Sequence, residues 1–434
     1  MERTTFRRRA LAAATVLALL VGCVTTDLPP ISAAGPDFEP LADEVALWDE
    51  ARAEEEKLLE AVALYDDPLL EDYLESVIAR LNPREMAANP EIVYRVRVVA
   101  DPSLNAFAYP HGSLYVHTGL LARLDDEDQV ATVLGHEMSH VEYRHMLRHR
   151  RAAQNRAVAL GVAAVTAAVV LAGEEADAWQ EGDWGKAARI GVLGELIVGL
   201  GLGLAFMAAV NGYGRDLELE ADSGGFGKLA AAGYRASAAP EMYETLLAAA
   251  DRQSGKLATF FFGSHPRLTE RVASAAEWAG SQPAPPEAPA PAPETARVFR
   301  QRMGPLVRDN AVLHLDAGEL DLAEDDLLRT VEWMPDDPVT HFQLARLHLA
   351  RAADEPDPDR REALRGSARA ALAESIAIDP ELPEPHRELG LLLHGDGDLA
   401  GACAEFRLYL ELAPAAEDAP RFRDYVRELR ESCG

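Results

Sequence analysis

His136-Glu137-Met138-Ser139-His140 sets two imidazoles four residues apart, with a carboxylate beside the first. On an α-helix that spacing turns about 40° round the axis and climbs about 6 Å. Both rings therefore leave one face, placed to donate nitrogens to a single zinc at about 2.0–2.1 Å. Glu137, about 100° round from His136, is placed to take a proton from a water at the ion and pass it to a leaving amine. A site that turns over substrate also needs a third protein ligand and an open fourth position. The run Tyr213–Asp222 reads as helix and places Glu218 and Asp222 four apart. Glu218 is positioned to ligate, and Asp222 to accept a hydrogen bond from a ligand histidine, His136 first, which fixes its tautomer. Glu220 faces elsewhere and is expected in solvent. One zinc per chain follows. His145 and His149, beyond the motif, read as surface or packing residues, and the five histidines from His314 to His394 carry no metal role.

The elements that must hold these groups are legible in outline. Residues 43–82 alternate apolar and charged positions at helical spacing. Extended stretches follow at Ile92–Val99 and Ser113–Thr118. Asp125-Asp126-Glu127-Asp128 supplies carboxylates where a helix begins, suited to its free N–H groups and dipole. Two apolar runs, Ala157–Gly173 and Ile190–Val210, read either as buried core helices or as a membrane-embedded hairpin across residues 157–210; glycines weaken the second run. Six prolines in Ser281–Ala296 mark an extended linker. Beyond it the chain repeats itself. Ala323, Leu327, Thr330 and Pro335 match Ala368, Leu372, Ser375 and Pro380, and again Ala402, Phe406, Tyr409 and Pro414. This spacing resembles degenerate tetratricopeptide repeats, with His341 and His386 at the place of the first-helix tryptophan and an insertion near Asp354–Arg361.

The 434 residues carry a formal net charge of -30, which disfavours nucleic acid as a partner because phosphate binding needs basic stripes. Three cysteines cannot form a disulfide framework. Arg3, Arg7, Arg8 and Arg9 precede a 12-residue apolar run, Ala10–Val21, too short to span a bilayer of about 30 Å. Leu20-Val21-Gly22-Cys23 resembles the lipobox of bacterial lipoproteins, which implies a lipidated Cys23 as the first mature residue. The resulting plan is a signal peptide over 1–22, a tether over 23–42, a domain carrying the two-histidine motif over 43–280, a Pro/Ala-rich linker over 281–297 and helical repeats over 298–434. Cys403 and Cys433 either pair or stay free.

Taken together, Asn105-Ala106-Phe107-Ala108-Tyr109-Pro110-His111-Gly112, the HEMSH run, Glu218 to Asp222, and Ser264-His265-Pro266 with Glu270-Arg271 resemble the zinc metallopeptidase family that includes HtpX and the CAAX prenyl proteases. The likeness is nearest to periplasmic BepA-like members with tetratricopeptide repeats. It covers roughly residues 60–275. It implies an α+β, zincin-like (gluzincin) domain followed by an all-α repeat domain. It further implies that His136, His140 and Glu218 bind zinc, that Glu137 is the general base, and that Asn105, Ala106, Phe107, Ala108 and Tyr109 hold an extended peptide by strand addition. His265 would lie near the metal, as a removable ligand or a transition-state donor. His111 departs from the family pattern, where glycine is usual. The implied activity is endoproteolysis of unfolded or misassembled envelope proteins by an outer-membrane lipoprotein facing the periplasm, membrane-held through its lipid, with the repeats contacting outer-membrane assembly machinery. The alternative is a non-proteolytic chaperone or assembly scaffold.

Overall fold

The computed structural model describes residues 24–159, 213–252, 268–282 and 293–429. The chain divides into two compact units, Met1–Val99 with Ser103–Ala288, and Ala100–Pro102 with Pro289–Gly434. The expectations for Cys23, His265 and Cys433, and for the apolar runs apart from residues 157–159, lie outside the described residues. Among those described, no helix is long and apolar enough to cross a membrane.

In the first unit, helix α1 (Ala42–Ala61) and helix α2 (Pro68–Leu81) precede a three-stranded sheet. Asp67 starts α2 by accepting hydrogen bonds from the Leu69 and Leu70 amides, with Pro68 at the first helical position. Strands β1 (Arg95–Val99), β2 (Ala106–Ala108) and β3 (Ser113–His117) lie in the order β1-β3-β2. β1 runs parallel to the central β3, and β2 runs antiparallel to it with Phe107 opposite Tyr115. β1 is shorter than the sequence pattern suggests, because Ile92-Val93-Tyr94 stays out of the ladder. Gly112 makes the β2–β3 turn at φ 105°, where an added Cβ would stand 2.7 Å from the Val93 carbonyl oxygen.

Helix α3 (Glu127–Glu142) begins where the acidic run predicts: the Asp126 side chain accepts from the Gln129 amide at 2.9 Å. Helix α4 covers 145–159, and α5 (Arg215–Ala232), α6 (Ala238–Arg252) and α7 (Leu268–Ser281) complete the unit. Residues 24–42, expected as a tether, are docked instead. Asn155 on α4 bonds both the amide and the carbonyl of Val24, Arg151 holds the Thr25 carbonyl and the Asp43 carboxylate, and Ile31 and Phe38 are buried.

The second unit is a string of helices, α8 (Pro293–Asp316), α9 (Leu320–Trp333), α10 (Pro338–Asp354), α11 (Pro358–Ile378), α12 (Pro383–Asp396), α13 (Leu399–Leu412) and α14 (Ala419–Glu428), each packed on its sequence neighbours. The repeated positions on α9, α11 and α13 are all buried, and the matching prolines stand two residues beyond each helix. The longer interval between repeats is taken up largely by helix: α10 has 17 residues and α11 has 21, against 14 in each of α9, α12 and α13. His341 and His386 each place Nε2 on a carbonyl of the preceding turn, Pro335 at 2.8 Å and Pro380 at 3.0 Å. Cys403 is buried and disulfide-bonded.

Candidate metal centre

α3 and α5 cross in close contact because both carry glycine at the crossing. A Cβ on Gly225 would meet the His136 amide nitrogen at 3.0 Å, and one on Gly135 would touch Gly225 at 3.5 Å. That approach brings Glu218 and Asp222, one face of α5, to His136 and His140, one face of α3. Nitrogen and oxygen atoms of His136, His140 and Glu218 gather within 4.8 Å of one another, all three residues buried. His136 Nε2 and His140 Nε2 face each other at 3.0 Å, and the Glu218 carboxylate lies 3.5 and 3.7 Å from them. Two imidazole nitrogens this close, each with an in-plane lone pair, call for a shared cation or a proton between them. The donor set among the described residues, two imidazoles and one carboxylate, fits a divalent metal.

The outward nitrogens are held as well. His136 Nδ1 donates to Asp222 Oδ1 at 2.8 Å, as the four-residue spacing predicts. Asp222 in turn accepts from Tyr243 Oη at 2.6 Å and from Arg271 Nε and Nη2 at 2.9 and 2.6 Å. Burial alone would raise the Asp222 pKa, but the Arg271 charge and these hydrogen bonds hold it well below the usual carboxylate range. For His136, burial and Arg271 disfavour the charged ring, yet the hydrogen bonds to Asp222 and Glu218 outweigh them and push its pKa up to about 9. Glu137 is buried. Burial, with the charges of Glu137 and then Glu218, pushes the Tyr213 hydroxyl pKa up, and the Tyr213 ring stacks on His140 at 4.2 Å.

His145, one of the two histidines read as surface or packing residues, is fully buried, with Nδ1 2.9 Å from His140 Nδ1. Burial and the Arg148 charge lower its pKa to about 3, so the ring is neutral. Glu220 is half in solvent but ion-paired, 2.6 Å from Arg148 Nη1 and 3.5 Å from His145 Nε2. Tyr243 and Arg271 join the site from α6 and α7. Neither has a signal in the motif spacing, although Arg271 falls in one of the quoted resemblance segments.

β2 lies against α3 and ends the sheet on that side. Asn105 and Tyr109 make their backbone bonds to His117 and Ser113 of β3. By antiparallel alternation, Phe107 also bonds inward, while the N–H and C=O groups of Ala106 and Ala108 face away from β3. Phe107 stacks on Tyr115, and Tyr109 is buried against it, so these two side chains serve the core; Ala106 and Ala108 are buried as well.

A buried His-His-Glu set, with the HExxH glutamate on the same helix, defines a metallopeptidase-type centre. Residues 68–279 match the family model described as Peptidase family M48, and this segment is an M48 metallopeptidase domain, as the resemblance to HtpX and CAAX types implied. Over 240 residues the chain is 28% identical to the mitochondrial metalloendopeptidase OMA1 of Schizosaccharomyces pombe, covering 54% of this chain and 63% of that protein. It is 31% identical over 212 residues to the beta-barrel assembly-enhancing protease of Escherichia coli K12, covering 49% of this chain and 39% of that one. The chain thus spans less than two thirds of either relative. Among solved structures, a TPR protein of Thermus thermophilus aligns with 32% of this chain and 74% of its own length at 21% identity, with a TM-score of 0.27, too slight to assign a fold.

Proposed function

We propose that this chain is a zinc endopeptidase of the bacterial cell envelope, held to the outer membrane by lipid on Cys23, which hydrolyses unfolded or misassembled envelope proteins. The observation that carries the reading is the convergence of His136, His140 and Glu218 beside a buried Glu137. Bound by those three residues, zinc supplies Lewis-acid polarisation of the scissile carbonyl and acidifies water. Glu137 accepts the proton of the attacking water and delivers it to the amine as the C–N bond breaks. Asp222, kept ionised by Arg271 and Tyr243, holds His136 in the tautomer whose Nε2 faces inward. The outward backbone groups of Ala106 and Ala108 pair with an extended substrate strand, which favours unfolded segments over folded ones. The helices from α8 to α14 act as tetratricopeptide-like repeats offering a docking surface for the outer-membrane assembly machinery.

The test compares purified wild type with Glu137→Gln, both at full zinc content, on an unfolded protein substrate. Cleavage should fall by roughly 10²–10⁴-fold, the usual contribution of a general base. Equal rates would refute the mechanism and favour a scaffold with a structural metal.

A further inference from the structure

We propose that His145 is a positioning residue for the metal centre: its Nδ1 accepts the Nδ1–H of His140 and commits His140 to present Nε2 inward. The inference rests on the metal-site reading above. The two Nδ1 atoms are 2.9 Å apart and the rings are nearly perpendicular, at 77°. A hydrogen bond at that distance needs one proton between the two nitrogens. With His140 Nε2 directed at His136 Nε2 and Glu218, the proton belongs to His140 Nδ1 and the lone pair to His145. His145 then carries its own proton on Nε2, on the side of the Glu220 carboxylate that Arg148 holds. His140 thereby receives from the His145 ring nitrogen what His136 receives from Asp222, an acceptor behind the ring that fixes its tautomer and orientation.

The backbone explains how a residue five positions beyond His140 gets behind it. On an unbroken helix, position 145 would lie about 140° round the axis from 140, directed away from the site. α3 ends at Glu142 instead, and Arg144 adopts a left-handed backbone at φ 58°, the one positive φ outside glycine among the described residues. That turn swings His145 back under His140. Arg144 is fixed in it by a buried bond from Nε to Glu44 Oε1 at 2.9 Å, a second contact to the same carboxylate, and the Phe38 ring beneath its guanidinium. The docked segment before α1 and the first turn of α1 therefore take part in setting the orientation of a ligand histidine about 100 residues later.

The experiment measures zinc affinity by chelator competition, with apo-protein melting alongside, for full-length wild type, His145→Phe, His145→Leu and His145→Asn. Asparagine places Oδ1 where the imidazole has Nδ1 and keeps an acceptor; phenylalanine and leucine do not. Either apolar variant that folds should bind zinc about 10–100-fold more weakly, the usual effect of losing an outer hydrogen-bond partner of a ligand. His145→Asn should recover most of that loss, and apo melting should not track the affinities. Apolar variants that bind zinc as tightly as wild type, or an asparagine variant as weak as they are, would overturn the proposal. A wild type that binds no zinc would overturn the metal-site reading itself, a distinct result.

Discussion

Gly225→Ala adds one methyl where α5 crosses α3. All of its nearest neighbours are backbone: the His136 nitrogen at 3.0 Å, the Gly135 carbonyl carbon at 3.2 Å and the His136 Cα at 3.3 Å. Nothing there can rotate aside, so the two helices must separate. Overpacking of this kind costs about 1–3 kcal/mol, and alanine returns about 1 kcal/mol of helix propensity, leaving a net loss of about 0–2 kcal/mol. Gly227, two residues on in the same helix, is the control, since a Cβ there meets nothing within 4 Å. Gly227→Ala should gain about 0.5–1 kcal/mol from propensity alone. The two variants should melt several degrees apart, at about 2–4 °C per kcal/mol for a domain of this size. The same separation pulls Glu218 away from the two imidazoles, so Gly225→Ala should also weaken zinc binding while Gly227→Ala leaves it unchanged. Equal melting temperatures and equal zinc affinities for the pair would refute the account of the crossing.

Asp222→Asn leaves the buried Arg271 without its carboxylate partner, and denaturant unfolding should show a loss of about 3–5 kcal/mol; an unchanged midpoint would contradict the network. Glu55 accepts from His111 and Tyr115, and although burial pushes its pKa up, these bonds and one from Ser113 hold it down at about 2, against an ordinary 4.5. Because the folded value is the lower one, this stabilisation is complete above about pH 4.5 and is lost as pH falls toward 2. An acid titration of wild type against Glu55→Gln should show a shallower decline in that window for the variant, and parallel curves would remove Glu55 from the account. Ala108→Pro deletes an amide that faces away from β3 and leaves the zinc ligands intact. Cleavage of an extended peptide should drop by at least about tenfold with zinc content unchanged, and normal cleavage would exclude strand addition at β2.

The parts of this site that follow from fixed helical geometry were legible before any coordinates. His136, His140, Glu218 and Asp222 each repeat at four residues, and Asp126 announces the start of α3. The positions of Ala323, Leu327 and Thr330, repeated at Ala368, Leu372 and Ser375 and at Ala402, Phe406 and Tyr409, marked the buried face of the second unit for the same reason: one period, read along one helix. What escaped was set by tertiary geometry. His145 looked like a continuation of α3 because the spacing assumes an unbroken helix, and only the left-handed turn at Arg144 reverses its direction. Tyr243 and Arg271 reach Asp222 from separate helices, with no shared period to link them. The Gly224-Gly225 pair, poor in helix propensity, was the visible trace of a close helix crossing, since glycine in mid-helix is tolerated where backbones must touch. Residues 24–42 looked like a tether because their prolines suppress periodicity, while their anchoring comes from Asn155 and Arg151 more than 100 positions away.

The most direct test of the metal centre is zinc stoichiometry after loading and exhaustive dialysis, measured on wild type, Glu137→Gln and Glu218→Ala. One zinc per chain should remain in the first two, because Glu137 is not a ligand, and Glu218→Ala should retain little or none. A metal-free wild type, or a Glu218→Ala protein that keeps its full complement, would contradict the claim that two imidazoles of α3 and one carboxylate of α5 hold the ion.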